Sequence, residues 1–106
     1  MALTTIVNET ELAECIAREV ALVVFWTPWS QPCQMQLPIL EQLTQDTGQT
    51  VMFCRIDVEA HDSLARQYEI EGLPTLILFK NGVIHRRFVG VQTAEDLLAA
   101  IKSRCD

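Results

Sequence analysis

The stretch Ala21-Leu22-Val23-Val24-Phe25-Trp26, running directly into Thr27-Pro28-Trp29-Ser30-Gln31-Pro32-Cys33, decides how this chain folds. Residues 21–26 are apolar without interruption, the pattern of a strand covered on both faces. Residues 27–32 carry turn and helix-start types, and Leu37, Leu40 and Leu43 then recur at helical spacing. Pro38 falls inside that pattern and predicts a kink, and Gly48 ends it.

The same reading extends outward in both directions. Residues 3–7 form a short β-prone run, and Asn8 with Glu11 three residues on predicts a capped helix start. Leu12, Ile16 and Val20 then mark one helix face. On the other side, residues 51–57 read as a strand and residues 62–68 as a short helix with Leu64 and Tyr68 four apart. Residues 75–80 and 83–89 are strands joined by the hairpin signal Asn81-Gly82. Thr93 with Asp96 opens a last helix through Leu97, Leu98 and Ile101. The order β-α-β-α-β-α-β-β-α implies parallel strands with right-handed crossovers in the first half and an antiparallel hairpin at the end. The expected fold class is α/β, a mixed central sheet with helices on both faces.

A length of 106 residues is that of one domain, expected to span residues 1–106, and folding at that size buries roughly 65% of the unfolded surface. Hydrophobic residues at 49% and charged residues at 21% are ordinary for a globular chain. The formal net charge of −6 argues against a nucleic-acid or anionic-membrane surface. The first seven residues lack the basic and apolar regions of a signal peptide, and the apolar run from residue 20 to 26 is too short to span a bilayer. A cytoplasmic setting is the expectation. Cys15, Cys33, Cys54 and Cys105 are widely scattered with no paired spacing, so no structural disulfide is expected. Cys15 and Cys54 read as small apolar residues, Cys105 as an exposed thiol near the C-terminus, and no metal-ligand spacing involves His61 or His85.

The motif Phe25-Trp26-Thr27-Pro28-Trp29-Ser30-Gln31-Pro32-Cys33 resembles that of the thioredoxin family. The resemblance continues in register through Pro38-Ile39-Leu40, Asp57, Gly72-Leu73-Pro74-Thr75, Phe79-Lys80-Asn81-Gly82 and Val89-Gly90, and so covers essentially the whole chain. It implies the thioredoxin fold and a family activity of disulfide reduction in cell redox homeostasis. In the family a Trp-Cys-Gly-Pro-Cys turn carries an attacking cysteine at a helix N-terminus, where the dipole favours the thiolate, and a second cysteine resolves the mixed disulfide. Here the attacking position is Ser30 and only the resolving position, Cys33, is a cysteine. A serine hydroxyl without a general base is no comparable nucleophile, so the dithiol cycle is expected to be lost. The family's buried aspartate is replaced by Val24, and alignment to the family puts Phe53 in place of its neighbouring lysine.

What the resemblance implies for binding survives that loss. Trp29 corresponds to a semi-exposed platform beside the motif, while Trp26 reads as structural. Pro74 corresponds to the family's cis-proline, which lets the preceding residue, Leu73, offer its backbone to an extended peptide. Trp29, Gln31, Pro32, Leu73, Pro74, Gly90 and Val91 are the candidate binding residues, and Cys33 and Ser30 the candidate catalytic positions. The leading expectation is a protein that binds extended polypeptide segments without dithiol–disulfide turnover. It would need no cofactor or metal, would meet a protein or peptide partner, and would be a monomer or weak dimer. One alternative is a monothiol redox enzyme acting through Cys33. Another is a thioredoxin-type disulfide reductase in which Ser30 is an engineered change.

Overall fold

A computed structural model of the chain describes residues 3–48 and 50–103. Its elements follow in the expected order: β1 (Thr4–Thr5), α1 (Glu9–Ile16), β2 (Val20–Trp26), α2 (Gln31–Thr47), β3 (Met52–Asp57), α3 (Asp62–Gln67), β4 (Thr75–Lys80), β5 (Val83–Val89) and α4 (Ala94–Lys102). The Asn8 side chain accepts from the Glu11 N–H at 2.8 Å, and the Glu11 carboxylate accepts from the Val7 N–H at 3.0 Å, which starts α1. Thr93 caps α4 by accepting from the Asp96 N–H at 3.1 Å. Asn81 and Gly82 both have positive φ (54° and 82°), the conformation a two-residue hairpin needs. Val20, expected on the face of α1, instead opens β2.

The five strands form one sheet in the order β1-β3-β2-β4-β5. β3 runs parallel to both β1 and β2, whereas β4 is antiparallel to β2 and β5. β2 and β4 are central and almost wholly buried, which is why their sequences lack alternation. α2 and α4 cover one face, packing Leu40, Leu43, Leu97 and Ala100 against Leu22, Val24, Phe53, Leu76 and Leu78. α1 and α3 cover the other, packing Leu12 and Leu64 against Val23, Phe25, Ile56, Ile77 and Phe79. Among the described residues no helix is long and apolar enough to cross a membrane.

One expectation is corrected here. Cys15 and Cys54 are not independent apolar residues, because their sulfur atoms are bonded at 2.00 Å, tying α1 to β3. Their separation of 39 residues gave the sequence no paired spacing, and the packing of α1 across β3 brings them together. Closing a loop of that length stabilises by about 3–4 kcal/mol in the chain-entropy account. Reduction, or replacement of both cysteines by alanine, should lower the unfolding free energy by about that amount. A urea midpoint that does not move on reduction would mean that the bond does not form in solution. Val24 lies in the core on the face covered by α2 and α4. Its neighbour in register on β3 is Arg55, whereas Phe53 faces Leu22. Val24 and Phe53 share a core, but they are not a cross-strand pair. The basic residue beside Val24 is Arg55, whose guanidinium lies 5.2 Å over the Trp26 ring while its Nε donates to Thr5 Oγ1 at 3.0 Å. Cys105 lies outside the described residues.

Candidate functional site

The motif occupies the turn from β2 into α2. The Ser30 hydroxyl caps the helix by accepting from the Cys33 N–H at 3.3 Å, and the Ser30 carbonyl accepts from the Gln34 N–H at 3.1 Å. Pro32 occupies the first helical turn, where its missing N–H costs nothing. The turn before it is held by Thr27 Oγ1, which accepts from the Trp29 N–H, and by Gln34 Nε2, which donates to the Pro28 carbonyl at 2.7 Å. No acid or base contacts the Ser30 hydroxyl among the described residues. Cys33 is fully buried and is the only unbonded cysteine among them. The Cys15–Cys54 bond lies in the core on the opposite face of the sheet from α2, so neither sulfur is within exchange reach of Cys33.

Around this turn the chain gathers three loops. Trp29 is 77% exposed, and its indole N–H donates to Glu59 Oε1 at 2.6 Å, which holds the ring to the loop after β3. Glu59 and Ala60 in turn donate their N–H groups to Asp57 Oδ1. The Leu73–Pro74 bond is cis, and Pro74 is buried with Leu73 half-buried before it. Gly90, with φ of +92°, donates its N–H to the Pro74 carbonyl at 2.8 Å, joining the second loop to the third. That φ is left-handed and suits glycine. Val91 beside it is exposed. Neither the N–H nor the C=O of Leu73 has a hydrogen-bond partner among the described residues. Gln31 and Pro32 are exposed at the start of α2.

A cavity of about 440 Å³ adjoins this surface and shares Glu59 and Leu73 with it. Val58, Ile70 and Leu73 give it apolar wall, and Glu59, Asp62 and Glu71 give it negative charge. Asp62 is already paired with Arg66 at 2.9 Å. Among the described residues no three His, Cys, Asp or Glu side chains converge as a metal site would require.

The thioredoxin family model matches residues 3–103. The chain belongs to the thioredoxin family. Thioredoxin-like protein slr0233 of the cyanobacterium Synechocystis is 42% identical over 76% of this chain and 77% of its own length. The chloroplastic Thioredoxin Y of rice is 42% identical over 77% of this chain, which spans only about half (49%) of that relative's length. Among solved structures, a mutant thioredoxin from Halobacterium salinarum superposes with a TM-score of 0.90 at 31% identity, covering 99% of this chain and 92% of that one. A yeast structure concerned with the thiol-resolving mechanism of mitochondrial 1-Cys peroxiredoxin via glutathione/thioredoxin systems gives 0.85 at 28% identity, covering 94% and 93%.

The geometry brings the sequence-derived site residues of this thioredoxin family member to one end of the sheet. Two residues that organise the site carried no signal that sequence reasoning used. Glu59, which anchors Trp29, follows a strand end and reads as an ordinary surface acid. Gln36 is a polar residue next to the Leu37, Leu40 and Leu43 series, and it is fully buried.

Proposed function

We propose that this thioredoxin family member binds extended polypeptide segments at the Trp29–Leu73–Gly90 surface without dithiol–disulfide turnover. The observation that carries the reading is the unpaired Leu73 backbone, linked to the exposed Trp29 ring through Glu59, which accepts from the Trp29 indole and lines one cavity with Leu73. An extended chain can add to Leu73 as a strand adds to a sheet edge, while Trp29 and Val91 supply apolar contact. The adjoining cavity suits a segment that brings an apolar side chain together with lysine or arginine, opposite Glu59 and Glu71. Ser30, committed to capping α2, supplies no nucleophile, and the buried Cys33 offers no accessible thiol to a monothiol cycle.

A protein partner has precedent in the yeast relative, whose thioredoxin system is linked to a peroxiredoxin. We place the activity in the cytoplasm. There the Cys15–Cys54 bond would face cellular thiols, and its burial (3% and 0% exposed) would slow their attack.

Reduced and carboxymethylated lactalbumin, an unfolded chain with no free thiol, serves as the probe. Binding at roughly micromolar affinity or weaker is expected, since the contacts are few and no covalent step contributes. Trp29→Ala and Pro74→Ala should each weaken it, and Cys33→Ser should leave it unchanged. Loss with Cys33→Ser and indifference to Trp29→Ala would hand the site to the monothiol reading.

A further inference from the structure

Gln36 lies on the core-facing side of α2, one turn beyond Cys33, and is fully buried. A carboxamide there costs free energy unless both its polar ends are paired. Both are: Oε1 accepts from the Gln92 N–H at 2.6 Å, and Nε2 donates to the Gln92 carbonyl at 3.1 Å. The side chain of Gln36 thus grips both polar atoms of one backbone residue, much as a neighbouring strand would. Gln92 passes the restraint on, because its own Nε2 donates to the Gly90 carbonyl at 3.1 Å. Gly90 then donates to the Pro74 carbonyl. A continuous chain of hydrogen bonds therefore runs from α2, through the connection between β5 and α4, to Pro74.

We infer that Gln36 is a positioning residue for the peptide groove. It touches no ligand. It fixes the backbone at Gln92 and, through it, Gly90 and Val91, the loop bonded to Pro74. The inference rests on the reading that this groove binds extended polypeptide. Without the clamp the N–H and C=O of Gln92 would lose their partners, and the loop would leave its binding-competent position for part of the time. Apparent affinity falls by the fraction of time lost.

The experiment compares Gln36→Met, which keeps the volume and removes both hydrogen bonds, with the unsubstituted protein. The readouts are affinity for carboxymethylated lactalbumin and hydrogen exchange at the Gly90 and Gln92 amides. Binding should weaken roughly tenfold, with faster exchange at those two amides and unchanged protection in β2 and β4. Unchanged affinity, or weakened affinity with unchanged exchange at Gly90 and Gln92, overturns the inference. If Gln36→Met does not fold, Gln92→Ala decides, since it cuts the link to Gly90 outside the core. It should weaken binding about threefold by the same population argument, and no change overturns the inference. Failure of the unsubstituted protein to bind the probe sinks the groove reading and this inference with it. Binding that Trp29→Ala abolishes and both clamp variants retain sinks this inference alone.

Discussion

Supplied with NADPH, thioredoxin reductase and insulin, the protein should show no catalytic disulfide reduction above background. Loss of a nucleophile that works as part of a catalytic unit costs on the order of 10⁴ to 10⁶ in rate. By the family resemblance Ser30 stands where the nucleophile is expected, and its oxygen accepts from the Cys33 N–H rather than contacting any base among the described residues. Ser30→Cys would place a thiol at the N-terminus of α2, where the unpaired N–H groups and helix dipole favour the thiolate. That variant should gain measurable activity while remaining slow. It loses the oxygen cap, at a cost of about 1 kcal/mol. It also keeps Gln31 and Val24 where the family pattern has a glycine and a buried acid. Full thioredoxin-like rates in Ser30→Cys would support the reading of Ser30 as an engineered change in an active enzyme. Turnover by the unsubstituted protein that survives Cys33→Ser would move the chemistry to the Cys15–Cys54 pair.

The fold was legible because its local signals agree with one another. Asn8 and Thr93 cap helices where their spacing to Glu11 and Asp96 says they should, and the Asn81-Gly82 turn fixes the hairpin between β4 and β5. Hairpin register follows from such a turn as far as the Phe79–Ile84 pair, beyond which a bulge shifts it, and parallel register has no such local determinant. β2 and β3 are joined through the 17 residues of α2 and two loops, so nothing local says that Val24 faces Arg55 rather than Phe53. The disulfide is hidden for a similar reason, since its two halves come from a helix and a strand that meet only in the folded chain. Gln36 shows the limit of periodicity. A glutamine fits a helix exposed or buried, and the partner that decides between them is 56 residues away. The groove residues were readable only through family resemblance, as no composition or spacing rule joins Trp29 to Pro74 and Gly90.

Val24→Asp should destabilise the fold by about 4 kcal/mol at pH 7, the cost of leaving an unpaired carboxylate in an apolar core, which raises the carboxyl's folded-state pKa. Val24 has no solvent exposure and packs among Leu22, Phe53, Leu76 and Leu78, so a carboxylate there loses its hydration. The folded state then holds its proton more tightly than the unfolded state does. Between the unfolded pKa, near 4, and the raised folded one, stability relative to the unsubstituted protein falls as pH rises. Above the folded pKa the loss is complete and constant, and below the unfolded pKa only the cost of a neutral acid in place of valine remains. Arg55, in register on β3, opposes this by favouring the charged form, although its guanidinium is already engaged with Trp26 and Thr5. Val24→Asp should therefore cost about 1–2 kcal/mol more when Arg55 is also changed to methionine, a coupling readable from a double-mutant cycle. Urea midpoints of the four proteins at pH 7 and pH 4 measure all of this. An unchanged midpoint at pH 7 would remove Val24 from the core. A loss that grows as the pH falls would mean that Arg55 outweighs desolvation and holds the new carboxylate ionised.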